Sequence, residues 1–503
     1  MRETREREMS SDTEGAESSS ETSVASDSYD VIVVGAGAAG LTAAIFARRR
    51  GASVLLLETR PKPGAKIRVS GGGRCNVLPS RAELSDFHTG GSVKAMRNVL
   101  FSWPLADVRR FFEEELGVPL VIEEETGKLF PKSQDARDVV EALLAECARL
   151  GVELRSSERV LDVLALEVVE DGARAASTPS AIASSATGVE RPAELAAPCV
   201  RPPRFEVSTV SGARFRGRSV LLATGGKSLP RTGSDGHGFA IARSLGHSTR
   251  PTFPVLVPLH SDADPWRSLP GIALRAELIA VRDGRELARR EGDFLFTHRG
   301  FSGPVVLDMS RFITRESASA DDGTDAETGD AAKVELRARW LGGAAPDWSE
   351  LLASGGRRAV VTALSSVLPR RLASLLVEDA GVPADRRACD LRRDERSALL
   401  ERLERCPLPI SSDEGYATAE ATGGGIALED LHLRSLESRI VPGLHFAGEI
   451  IDVDGRIGGF NFLWAWVSGR RAGEGAAGEG RREPGKDEPS AGSNALREPS
   501  GCS

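Results

Sequence analysis

The residues best suited to chemistry sit at the end of the first apolar run. Asp30 to Gly40 reads DVIVVGAGAAG, a strand-like stretch passing into G-x-G-x-x-G. In that spacing Gly35 permits a tight turn, Gly37 lets bare backbone approach a pyrophosphate, and Gly40 lets the next helix pack against the strand. Ala39 stands at the start of that helix, whose free N–H groups and partial positive charge suit phosphate. A second apolar run, Ser53 to Leu57, ends on Glu58, eighteen residues past Gly40, with Arg60 just beyond. A carboxylate there accepts hydrogen bonds from ribose hydroxyls. These residues predict a bound dinucleotide.

Three further stretches bear on which dinucleotide it is. Lys62 to Asn76 reads KPGAKIRVSGGGRCN, too Gly-rich for a second helix–strand unit. Ser70, Gly71 and Gly72 would bring backbone close to a flat or anionic group, with Lys66, Arg74 and Asn76 as donors. Val220 to Gly226 reads as a buried strand whose end, Ala223-Thr224-Gly225, can pass behind a nucleotide. Gly443 to Glu449 is another strand, ending on Gly448-Glu449 and followed by Asp452 and then Gly459-Phe460-Asn461 at a helix start. A helix N-terminus there would face the pyrimidine edge of a flavin and stabilise the negative charge it gains on reduction. The cofactor expected is FAD.

Groups that could do more than bind are fewer. Cys75 lies in the glycine loop without a second cysteine near it in sequence, so a dithiol mechanism lacks its partner. Its thiol is either activated by Arg74 or packed as a small apolar group. Lys66, Arg74 and Lys227 are cations that could stabilise an enolate-like charge, or only clamp phosphate. His298 could donate a proton or serve as a turn histidine. Trp464 and Trp466 could stack on a ring or fill the core. Cys75, His298 and Lys227 are thus the catalytic candidates.

The elements needed to position these groups are legible in outline. Residues 29–250 alternate Val/Ile/Leu runs with helical patterns, as in a doubly wound α/β sheet. Residues 251–345 read as strands, including Val255–Leu259, Leu274–Val281, Phe294–Thr297 and Val334–Trp340, and residues 346–412 read as helical. Residues 413–472 return to a buried strand and a helix from Phe460 to about Arg471. The fold class expected is α/β: a discontinuous Rossmann-type FAD-binding domain with β-rich and helical insertions. Residues 1–28, 171–203, 315–332 and 473–503 have the compositions of surface additions.

With 65 basic and 73 acidic residues the net charge is −8, which gives no electrostatic reason for a nucleic-acid partner. No run of about 18 apolar residues predicts a membrane span. The first 28 residues have no apolar core of a secretory signal, which leaves the cytoplasm as the expected compartment. Six cysteines without a CxxC pair and seven histidines without HxH or HExxH spacing predict no metal site.

The sequence resembles the HI0933-like (BaiN-like) family of bacterial flavoproteins, related to the glutathione-reductase-type FAD fold. The resemblance rests on SGGGRCN (70–76), LFPKSQDA (129–136), LATGGKSLPRTGSDGHGFAIARSLGH (222–247), FLFTHRGFSGPVVL (294–307), ATGGGI (421–426) and AGEIIDVDGRIGGFNFLWAWVSGR (447–470). It implies FAD held between the N- and C-terminal pieces, with a β-barrel-like and a helical subdomain between them. Some members are similar to reductases of conjugated C=C bonds in oxo-steroid or bile-acid substrates. Where members often follow SGGGRCN with Val-Thr-Asn, this chain has Val77-Leu78-Pro79, which removes a polar side chain after Asn76. The reading that results is an FAD oxidoreductase passing hydride through flavin N5 to or from a small apolar molecule. NAD(P)H would be a diffusible donor, since no second strand-to-helix G-x-G-x-x-G unit with a following acid is found. The alternatives are an amine oxidase using oxygen, a flavin-dependent RNA-modifying protein, and a non-catalytic flavin-bound interaction protein.

Overall fold

A computed structural model describes residues 28–166, 204–321 and 333–478. The insert at 171–203 and most of the two tails lie outside these residues. Strand β1 (Ser28–Val34) is apolar on both faces, with Val31, Ile32 and Val33 fully buried, and that pattern suits the centre of a parallel sheet. It pairs in parallel with β2 (Val54–Glu58) on one side and with Arg214–Leu222 on the other. Glu153–Ser156 extends the sheet beyond β2, and Leu444–Phe446 extends it beyond Arg214–Leu222, both in parallel. One sheet is therefore built from both ends of the chain, and its core gathers residues 31–242 and 426–476.

Helix α1 (Ala38–Arg49) crosses the C-terminal helix Phe460–Ala476 at very short range. A Cβ on Gly469 would lie 2.4 Å from the Ala39 carbonyl oxygen, and one on Gly473 2.2 Å from that of Ala43. The tail expected from residue 473 thus begins later: Gly473 is a packing position, and the helix runs on to Ala476. The stretch expected to loop out from Arg315 likewise begins as helix, since Pro304–Asp321 is continuous.

The residues between form a second core, 259–408. Its antiparallel sheet includes Ala273–Arg282, which pairs with Arg285–Phe296 across the Asp283-Gly284 turn, with a register shift at Ala280/Val281, and with Glu335–Trp340 on its other side. Alternation puts Ala276, Leu278 and Ala280 on the buried face with Leu336, Ala338 and Trp340. The expectation of separate β-rich and helical insertions gives way to one packed unit. An antiparallel sheet with one apolar face must cover it, and Leu352, Leu364, Leu372, Leu376 and Leu399 of the helical segment do so. No helix among the described residues is long and apolar enough to cross a membrane.

Candidate functional site

The glycine motif forms a tight turn between β1 and α1. Gly35 has a left-handed φ of +102°, and a Cβ on Gly40 would sit 1.8 Å from the Gly35 carbonyl oxygen. At Gly37 a Cβ would meet nothing within 4 Å, because that face opens onto a cavity of about 600 Å³. Helix α1 starts there without a side-chain cap, so its first N–H groups remain available. Glu58 closes this end: Oε2 accepts from the Ala36 N–H at 2.7 Å and Oε1 from the Arg60 N–H at 2.7 Å. Burial raises the Glu58 pKa, opposed by those backbone donors.

Further along the cavity, Lys66 Nζ lies 2.5 Å from Glu449 Oε2 and donates to Ser228 Oγ at 2.7 Å. Burial alone would raise the Glu449 pKa, but Lys66 and the Ser228 hydroxyl hold it below the usual range, so it is ionised at neutral pH. Two residues that the sequence singled out separately, 383 positions apart, thus form one ion pair. Asn461 ties its side-chain amide to Gly455 and stands at the open N-terminus of the last helix, after Gly459.

The cavity is lined by Gly35, Gly37, Ala39, Glu58, Lys66, Ser70, Gly71, Gly72, Arg74, Asn76, Ala223, Thr224, Gly225, Gly448, Glu449, Gly459 and Asn461, all sequence candidates. Thr224 Oγ1, Asn76 Oδ1 and Ser234 Oγ are buried without hydrogen-bond partners, and each belongs to a lining residue. Orphaned polar atoms, an uncapped helix start and an acid fixed by backbone donors fit a dinucleotide whose hydroxyl, phosphate and ring groups would satisfy them.

Other candidates lie elsewhere. Gly40 and Arg60 support the cradle from behind rather than lining it. Cys75 is fully buried among apolar side chains, and burial pushes its thiol up to about 12. Its φ of +60° turns it away from the face shared by Arg74 and Asn76. Phe460 packs edge-on against Phe87. Asp452 accepts from the Gly90 N–H at 2.9 Å and pairs with Arg250 at 3.1 Å, a structural clamp away from the cavity. Lys227 lies 5.5 Å from the Tyr416 ring centre and off the lining, and His298 is exposed in the second unit. Trp464 lines the cavity and donates to the Gly448 carbonyl, whereas Trp466 is core. Alkylation of the native protein at neutral pH is therefore expected to label exposed Cys389 and spare Cys75. Labelling of Cys75 at a comparable rate would contradict its placement.

Sequence reasoning missed Lys128, Glu420 and Arg456, which also line the cavity. Lys128 and Glu420 immediately precede LFPKSQDA and ATGGGI, so only adjacency to those stretches could have pointed to them. Arg456 is held by Asp308 at 3.1 Å and Asp86 at 3.0 Å, and Asp308 also accepts from the Ile457 N–H.

Residues 29–187 and 198–475 match the family model described as HI0933-like protein Rossmann domain. The chain belongs to this family. It is 29% identical to the 3-dehydro-bile acid delta(4,6)-reductase of Clostridium scindens, over 88% of this chain and 98% of that protein. It is 30% identical to the ribosomal RNA dihydrouridine synthase of Escherichia coli, over 88% and 96%, and 28% identical to that of Haemophilus influenzae, over 87% and 96%. As a member of this family the chain is an FAD-dependent oxidoreductase. Within it, Glu58 is expected to fix the adenosine end. Replacing it by alanine removes an ionised acceptor worth about 1.5–3 kcal/mol. FAD affinity, read by fluorescence titration, should fall roughly 10- to 150-fold. Unchanged affinity would remove Glu58 from the binding set.

Proposed function

We propose that this enzyme reduces a C=C bond conjugated to a carbonyl group in a small apolar molecule, with NADH or NADPH as diffusible donor. The observation that carries the reading is the continuity of the cavity. It runs from the cradle at Glu58 to the junction of the two units, where Phe130, Leu256, Val453 and Ile457 give it apolar walls. Bound FAD would supply hydride transfer there. The residues of the chain do the rest. Gly37 and the start of α1 hold the phosphates, and Lys66 with Glu449 fixes the middle of the cavity. Lys128, with no hydrogen-bond or ion-pair partner among the described residues, offers a cation to the oxygen of a polarised carbonyl. Apolar walls exclude water around that charge and strengthen its effect.

The relatives' names support the same reaction class. A 3-dehydro compound carries a 3-oxo group that a double bond at position 4 conjugates. Dihydrouridine is uridine whose C5=C6 bond, conjugated to a ring carbonyl, is saturated. A second reading is favoured by the two relatives named for ribosomal RNA: here the double bond would belong to a uridine in RNA.

The test is oxidation of NADH or NADPH by the FAD-loaded protein, with a 3-oxo-4-ene steroid or an unmodified ribosomal RNA fragment as acceptor. Steroid product carrying two added hydrogens supports the first reading, and dihydrouridine in the RNA supports the second. Reduction of neither acceptor, by a protein whose flavin the donor does reduce, overturns both.

A further inference from the structure

Three carboxylates line the cavity, and two are committed. Glu58 is bound by the Ala36 and Arg60 N–H groups at the adenosine end, and Glu449 is bound by Lys66 and Ser228. The third, Glu420, has no hydrogen bond or ion pair to its carboxyl among the described residues. Its backbone is fixed, with its N–H donating to Leu256 at 3.3 Å and its carbonyl accepting from Ser228 at 3.4 Å. It therefore lines the cavity beside Leu256 and Ser228, with its side chain accessible to solvent.

We propose that Glu420 is the acid that protonates the substrate carbon next to the carbonyl. The inference rests on the C=C reductase reading above. The π bond breaks as the carbon remote from the carbonyl receives hydride from the reduced cofactor. A dihydronicotinamide replenishes that cofactor and is itself oxidised. The carbonyl oxygen carries the charge until the Glu420 O–H gives its proton to the adjacent carbon. The carboxylate left behind is reprotonated from water. No other lining group suits this role. Arg456 is always charged and held by two aspartates, and a lysine ammonium such as Lys128 stabilises the oxyanion better by keeping its proton. The carboxyl environment supports the assignment. Burial raises the Glu420 pKa; Lys128 lowers it and Asp308, itself paired with Arg456, raises it further. A raised carboxyl pKa keeps an acid protonated closer to neutral pH, where general-acid catalysis is efficient.

The test compares wild type with Glu420→Gln and Glu420→Asp, all loaded with FAD and reduced anaerobically by NADH or NADPH. For Glu420→Gln, reoxidation by a 3-oxo-4-ene steroid is expected to slow by roughly 10²- to 10⁴-fold, and Glu420→Asp is expected to regain part of the rate. The limb of the wild-type pH profile that falls as pH rises should vanish in Glu420→Gln. A second readout needs no cofactor. Infrared titration of the FAD-free protein should reveal a protonated carboxyl above the usual glutamate range in wild type, absent from Glu420→Gln. Wild-type reoxidation and an unchanged pH profile in Glu420→Gln would overturn the proposal while the function reading stands. If wild type reduces neither steroid nor RNA uridine, the function reading falls and the proposal falls with it.

Discussion

Replacing Gly40 by alanine is expected to give a protein that purifies without FAD. The added Cβ would lie 1.8 Å from the Gly35 carbonyl oxygen and 3.3 Å from the Ala223 Cβ. The closest neighbour is backbone, so nothing can swing aside, and α1 must back away from the phosphate loop. Overpacking at a rigid site costs about 3 kcal/mol. Paid through the cradle geometry, that is about a hundredfold in FAD affinity or more. Gly37→Ala is the informative companion. Its Cβ meets no protein atom within 4 Å and points into the cavity. The FAD-free stability of Gly37→Ala should therefore match wild type while its FAD affinity drops. Gly40→Ala should lose both, as measured by denaturant unfolding of the FAD-free proteins alongside FAD titration. Equal FAD affinity in Gly37→Ala and wild type would mean that the pyrophosphate does not approach that backbone.

The second large effect is expected at the joint between the two units. Arg311, on the helix Pro304–Asp321, makes a two-pronged pair with Asp454, Nε to Oδ2 at 2.9 Å and Nη2 to Oδ1 at 3.0 Å. Both side chains are almost wholly buried. One turn earlier on the same helix, Asp308 holds Arg456 and the Ile457 N–H. The helix thus grips the 454–457 loop that leads to the last helix's N-terminus at the cavity. Arg311→Met leaves the Asp454 carboxylate buried and unpaired, at a cost of about 3–5 kcal/mol. The double variant Arg311→Met with Asp454→Leu removes both charges and should recover much of that loss. Denaturant unfolding of the four proteins reads this non-additivity directly. Strictly additive losses would mean that the two side chains do not interact.

Much of the cradle was legible because its physics is local. A doubly apolar strand, three glycines and a strand-ending acid declare a parallel sheet and a phosphate turn within thirty residues. The second parallel contribution, Leu444–Phe446, was legible for the same reason. Errors arose where neighbours in one motif face opposite ways. Arg74 and Asn76 line the cavity, yet Cys75 between them turns into the core through its left-handed φ. Gly459 and Asn461 line it, yet Phe460 packs on Phe87. Asp452 looked like a cofactor ligand from its spacing, but folding brings Arg250 and the Gly90 N–H to it instead. The charged side chains at the junction side of the cavity were not singled out by the sequence. Lys128, Glu420 and Arg456 reach it from three segments far apart in sequence, and only the folded chain brings them to one cavity. The same holds for the two insertions, whose individual patterns were readable but whose shared core depends on sheet meeting helix.

Anaerobic double mixing is the decisive measurement for the whole reading. The FAD-loaded protein is first reduced with NADH or NADPH and then mixed with a 3-oxo-4-ene steroid, and the flavin absorbance is followed throughout. The expected result is loss of the oxidised-flavin band on the first mix. Its return on the second should match stoichiometric saturation of the steroid double bond. A flavin that stays reduced with the steroid and with RNA uridine alike, but is rapidly reoxidised by oxygen with release of peroxide, would contradict it.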